Sequence, residues 1–155
     1  MAGKIDARLR ELGIEVPEAA APVANYVAHV MSGKLCFVSG QVTVQGGAFK
    51  HQGKLGAEIS VEEGYQAARL CAINIVSQLR AACGGDLDKV ARVVKLVGFV
   101  NSTPDFTDQP KVVNGASDLM VEVFGDAGRH TRLAVGTNTL PLNACVEVSG
   151  IFAIS

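Results

Sequence analysis

Residues 90–101, "VARVVKLVGFVN", constrain the fold more than any other stretch of this chain. Valines dominate and both alternating sets of side chains are largely apolar, the pattern of a strand covered from two sides. Helices to cover it are scarce. Ser60 and Glu63 in "SVEEG" match a capping box, in which the serine oxygen and the glutamate each satisfy an orphan amide. They predict a helix that runs to about Cys83 and ends at Gly84-Gly85. A second start lies at Thr107–Pro110. From there Val112, Val113, Ala116, Leu119, Met120, Val123 and Phe124 recur at three- and four-residue steps up to Gly125. Two helices cover only one side of a sheet, so the other apolar face needs a partner. A second copy of the same chain is the simplest one, which predicts a homo-oligomer.

The remaining elements fit around this core. A short first helix spans about residues 3–13, with Ile5, Leu9 and Leu12 along one side, and the proline- and alanine-rich "VPEAAAPVANY" follows as a linker. "NYVAHVMSG" and "KLCFVSG" read as strands joined by a Ser32-Gly33 turn, and "QVTVQGGAFKHQGKLG" as a loop or irregular extended stretch. "HTRLAVG" and "ACVEVSGIFAI" read as two further strands connected through "TNTLPLN". The class is α+β, a sheet with two main helices on one face and an added first helix. The chain divides into 1–20, helix and linker, and 21–155, one domain, which suits 155 residues with 48% hydrophobic content.

Several function classes are disfavoured. The formal net charge is −1 and basic residues are scattered, so no footprint for nucleic acid or an anionic membrane surface is present. No apolar run nears the roughly 20 residues needed to cross a bilayer, and "MAGKIDARLRELG" is not a secretory signal, which predicts a cytoplasmic chain. The four cysteines form no CxxC pair and read as buried, reduced thiols. His29, His51 and His130 lack metal-site spacing, so no metal is expected, and Arg129 with His130 reads as loop-shaping or as meeting a neighbouring subunit. The nucleophile elbow, the Walker loop and the dinucleotide-binding glycine motif are all missing.

Two charges stand out. "HTRLAVG" carries Arg132 and "ACVEVSGIFAI" carries Glu147 among residues that favour burial. A hairpin centred near Thr139 and Leu140 would set them opposite each other, either as a cross-strand ion pair or as a site that clasps a carboxylate and moves a proton. Ser39, in "FVSGQV", reads either as a turn serine bonding its own backbone or as a ligand contact.

At "NYVAHVMSGKLCFVSGQV" and "RLAVGTNTLPLNACVEVSGIFAI" the chain resembles the reactive intermediate deaminase (Rid, or YjgF-like) family, from about Ala21 to the carboxyl terminus. The second motif is the more specific, with an arginine, a Leu-Pro pair and a glutamate at the family's spacing. The resemblance implies a chorismate-mutase-like fold, a homotrimer with clefts between subunits, and hydrolysis of enamines and imines such as 2-aminoacrylate to 2-oxo acids and ammonia without metal or organic cofactor. By position, Arg132 matches the arginine that grips the substrate carboxylate and Glu147 the glutamate that positions or activates water. Tyr26 matches the tyrosine of the early strand, Ser39 the serine of the "SGQ" turn, and Asn114 the asparagine of the second helix.

Ala134 stands where many deaminating relatives have a cysteine, and the first helix and "GDAGRH" passage mark a longer subgroup. Two other functions compete: a non-catalytic trimer that binds small carboxylates, and an endoribonuclease. The balanced charge and only two tyrosines fit the latter poorly, since single-stranded RNA meets basic grooves and stacking aromatics.

Overall fold

The computed structural model describes residues 3–155. Its elements in chain order are α1 (Lys4–Glu11), β1 (His29–Ser32), β2 (Leu35–Gln41), β3 (Val44–Gln45), β4 (Ala48–Phe49), α2 (Val61–Ala82), β5 (Val90–Asn101), α3 (Gln109–Phe124), β6 (Thr131–Thr137) and β7 (Val146–Ile154). Five strands make one mixed sheet in the order β1-β2-β7-β5-β6, and β3 with β4 forms a small separate hairpin. Helices α2 and α3 pack side by side against one face, the α+β arrangement expected from the sequence.

The helices begin and end for local reasons. Ser60 accepts the Glu63 amide at 3.1 Å, while the Glu63 carboxylate turns away from its own helix end to meet His51 Nδ1 at 3.2 Å. Only half of the capping box is therefore built. The seven apolar residues predicted for the second helix are all buried in α3. Helix α1 lacks a side-chain cap of its own. Asp88, far along the chain, accepts the Lys4 and Ile5 amides at 2.9 Å each and supplies the missing acceptors. An Arg80–Asp6 ion pair at 2.8 Å and the burial of Leu9 hold α1 against the domain.

The sheet departs from expectation in one way that matters for function. The last two strands do not pair as a hairpin. Strand β5 lies between them, parallel to β6 and antiparallel to β7. The most apolar strand takes the central position, and the connection after β6 crosses its end, held where Asn101 Nδ2 donates to the Asn143 side chain and the Ala144 carbonyl. Smaller differences lie at the amino-terminal end of the sheet. Strand β1 starts at His29 rather than near Asn25, and the register Ser32↔Leu35 puts the turn at Gly33-Lys34. Part of the stretch read as loop forms the β3–β4 hairpin around Gly46-Gly47.

Alternation along the strands separates two environments. Val93, Leu96, Val100, Val146, Val148 and Phe152 point into the helix-covered core. On the opposite face Phe99 keeps 40% of its surface exposed and Leu133 50%, with Phe37, Val94 and Val135 nearby in the same state. The dual coverage expected for β5 is thus met on one side by this chain, and its other face is open.

Helices α2 and α3 approach closely at Gly115, where a β-carbon would fall 1.9 Å from the Tyr65 carbonyl oxygen. Gly115→Ala must push the helices apart. Overpacking of this kind costs about 1–3 kcal/mol, and at this chain length that lowers Tm by roughly 2–12 °C. A thermal melt checks it; an unchanged Tm would mean the helices do not meet there.

Candidate active site

Arg132 pairs in register with Leu96 and Glu147 with Phe99. Leu96 is fully buried beneath the helices, whereas Phe99 lies on the open face. Directly paired residues project to the same side of a sheet, so Arg132 and Glu147 of one chain lie on opposite faces. The cross-strand ion pair is absent because its geometry required the hairpin that β5 interrupts.

Arg132 extends from edge strand β6 to the side of α3. One terminal nitrogen donates to Ser117 Oγ at 3.1 Å and the other to the Pro110 carbonyl at 3.3 Å. A guanidinium has five N–H donors, so three are left for a ligand. Among the described residues no carboxylate comes within ion-pair distance of it. A part-buried, unpaired cation with spare donors in fixed geometry can grip an anion. Asn114 lies on the same side of α3, between Pro110 and Ser117 at helical spacing, so the structure brings Asn114 and Arg132 to one rim.

Glu147 belongs to a second cluster. On the open face its carboxylate lies against the backbone of Gly40, where a β-carbon would sit 2.5 Å from Oε1. Only glycine fits at position 40 without displacing that side chain. Burial raises the Glu147 carboxyl above its ordinary value by penalising the charged form. Ser39, adjacent in β2, donates through Oγ to the Val27 carbonyl at 2.9 Å, and its amide donates to the Ala28 carbonyl at 2.9 Å. Ser39 thus bonds a segment twelve residues earlier in the chain rather than closing a turn on its own backbone, and both bonds tie residues 27–28, next to Tyr26, to the sheet. Tyr26 itself is 54% exposed.

The predicted residues therefore do not form one cluster within a chain: Arg132 and Asn114 lie on the helix side of the sheet, Glu147 and Ser39 on the open side, and Tyr26 lines a pocket with His29 and Gln78 beside β1. Sequence reading singled out neither Ser117 nor Gly40. Ser117 follows Asn114 by three positions on α3, a helical spacing that could have drawn attention to it. Among the described residues no group of three or more possible metal ligands is found. All four cysteines are buried and unbonded. Burial raises the Cys71 thiol and pushes Cys36 up to about 11 and Cys145 to about 12, which leaves no ready thiolate among these three. A separate cleft of about 570 Å³, lined by Lys54, Ser102, Phe106, Gln109 and Thr137, opens where the parallel strands β5 and β6 end, and Arg132 does not line it.

The family described as "YjgF/chorismate_mutase-like, putative endoribonuclease" matches residues 6–154. This chain belongs to the YjgF family. Within it, the chain is 51% identical over 154 residues to Protein TCP17 of Trypanosoma cruzi, covering 99% of this chain and 96% of that protein. The crystal structure of Atu1372 from Agrobacterium tumefaciens, a protein described as having unknown function, superposes with a TM-score of 0.92 at 47% identity, over 97% of this chain and 92% of that one. The structure of E. coli TdcF with bound serine matches with a TM-score of 0.65 at 25% identity, over 89% and 94% of the two chains. The match from residue 6 takes in most of α1, and the chorismate-mutase-like fold agrees with the sheet and helices described above. No described helix is long and apolar enough to cross a membrane.

Proposed function

We propose that this YjgF-family chain hydrolyses small enamine and imine acids, such as 2-aminoacrylate and related 2-imino acids, to 2-oxo acids and ammonia, without metal or organic cofactor. The observation that carries this reading is the unpaired Arg132 guanidinium, clamped by Ser117 and Pro110 with donors to spare. TdcF, a relative crystallised with serine, offers a precedent for an amino acid ligand on this fold.

The chemistry requires little of the protein. An enamine takes a proton at its terminal carbon, gives up one from nitrogen and becomes an imine. Water then adds to the C=N carbon, its proton passes to a base, and the imine nitrogen is protonated. Collapse of the carbinolamine passes the hydroxyl proton to nitrogen, breaks the C–N bond, forms the C=O bond and releases ammonia. Holding the carboxylate and aiming one water supply most of what is needed, by proximity and general base catalysis. Arg132 is the carboxylate anchor, Glu147 the base for water, and Asn114 and Tyr26 the polar contacts on either side.

Because Arg132 and Glu147 occupy opposite faces of one sheet, a site using both takes one from each of two copies. The exposed apolar face around Phe99 and Leu133 is the surface those copies would share, and a head-to-tail ring of three closes such contacts without leaving an unpaired face. The same assembly without turnover is a small-carboxylate-binding trimer, and the assay separates the two. Imino acids generated in situ with an amino-acid oxidase should disappear faster with the purified protein than in buffer. Equal rates across several imino acids would leave the binding function only.

Glu147→Gln should preserve ligand binding and slow hydrolysis by about 10²–10⁴-fold, the usual worth of a general base. Its stability should show the opposite sign. The raised carboxyl means the folded chain holds that proton more tightly than the unfolded one, so ionising it costs stability above the folded pKa and nothing below the unfolded value. The variant should therefore melt at or above the parent at pH 8, with the difference vanishing toward pH 4. Full turnover in Glu147→Gln would assign the water to another group.

A further inference from the structure

We propose that Ser117 and His130 form a one-directional hydrogen-bond relay that positions the Arg132 guanidinium for its ligand, an inference that rests on the anchor role given to Arg132 above. His130 Nδ1 lies 2.6 Å from the Gly128 carbonyl oxygen. A carbonyl only accepts, so Nδ1 carries the ring proton in the neutral imidazole. Nε2 is then a bare acceptor. Ser117 Oγ lies 2.9 Å from Nε2, and its one hydroxyl proton must point there. The remaining lone pairs of Oγ face outward, and Arg132 donates to them at 3.1 Å. Every bond thus runs the same way along one branch, Arg132 to Ser117 to His130, and His130 Nδ1 donates in turn to the Gly128 carbonyl. Chains with such a common direction polarise one another and strengthen each link.

The relay also explains why a serine suits this site. A hydroxyl free to rotate could turn its proton toward the guanidinium and repel it. His130 removes that freedom by accepting the hydroxyl's hydrogen bond at Nε2. Gly128 is part of the device, since a β-carbon there would sit 2.1 Å from the Met120 carbonyl oxygen, and only glycine brings its own carbonyl so close to α3. The "GDAGRH" passage before β6 is therefore the segment that delivers both the Gly128 carbonyl and the His130 ring. In this role Ser117 and His130 are positioning residues and contact no substrate.

The test uses the full-length protein and two NMR readouts that do not depend on turnover. The ¹⁵N shifts of His130 should show Nδ1 protonated and Nε2 bare; the reverse tautomer would overturn the relay. The terminal nitrogens of Arg132 should give separate, slowly exchanging signals in the parent, average together in Ser117→Ala and His130→Phe, and separate again in Ser117→Thr. Unchanged Arg132 signals in Ser117→Ala would equally overturn it. With pyruvate as the probe, Ser117→Ala should weaken binding about tenfold, because the freed guanidinium must then be ordered on binding, and Ser117→Thr should restore it. In the imine assay the same variant should raise KM with kcat nearly kept, whereas a fall in kcat alone would contradict a positioning role. Should the parent neither bind pyruvate nor consume imines while the NMR signatures hold, the deaminase reading fails and the relay stands.

Discussion

Replacing Arg132 with alanine is expected to abolish imine consumption while leaving the fold intact. The side chain leans on α3 at the edge of the sheet, so its removal opens no core cavity. What disappears is the grip on the carboxylate. A charge-assisted contact is worth about 1.5–3 kcal/mol, or roughly 10- to 150-fold, and more where the cleft excludes water. Losses should appear in kcat/KM, because a substrate held by one end must also be aimed at the water. Arg132→Lys should recover only part of the rate, since an ammonium keeps the charge and loses the planar fork. Equal kcat/KM in Arg132→Ala and the parent would remove the anchor and the function built on it.

Most of the fold was legible in the sequence because its signals are local. The helix-period stripe from Val112 to Phe124 and the Ser60 cap depend on neighbours within a turn or two, and both helices occur where they were expected. The valine-rich β5 announced a strand apolar on both faces by its composition alone. Pairing partners were a different matter. Two strands joined by a short polar segment look like a hairpin, and nothing in "TNTLPLN" reveals that β5 will be inserted between them. That single topological fact decides the site. It moves Arg132 to the helix side of the sheet and leaves Glu147 on the open side, so the ion pair weighed from sequence cannot form within one chain. The choice between a paired and a free arginine was thus invisible until long-range register was known. The contact between Ser117 and His130 was hidden for a related reason, since a loop histidine and a helix serine thirteen residues apart meet only after the chain turns at Gly125–Gly128.

The division of the site between copies can be tested with two inactive variants. Arg132→Ala subunits retain Glu147, and Glu147→Gln subunits retain Arg132. Each variant alone should be nearly inactive. If the two residues that act on one substrate come from different chains, co-assembled subunits in equal amounts should contain intact pairs at some shared clefts. Random mixing predicts about a quarter of the parent rate per site, because each half of a site is sound in one subunit of two. Mixed oligomers, prepared by co-expression with distinguishable tags and confirmed by light scattering, should therefore regain activity that neither variant shows alone. Mixed oligomers as inactive as their parents would contradict a shared site.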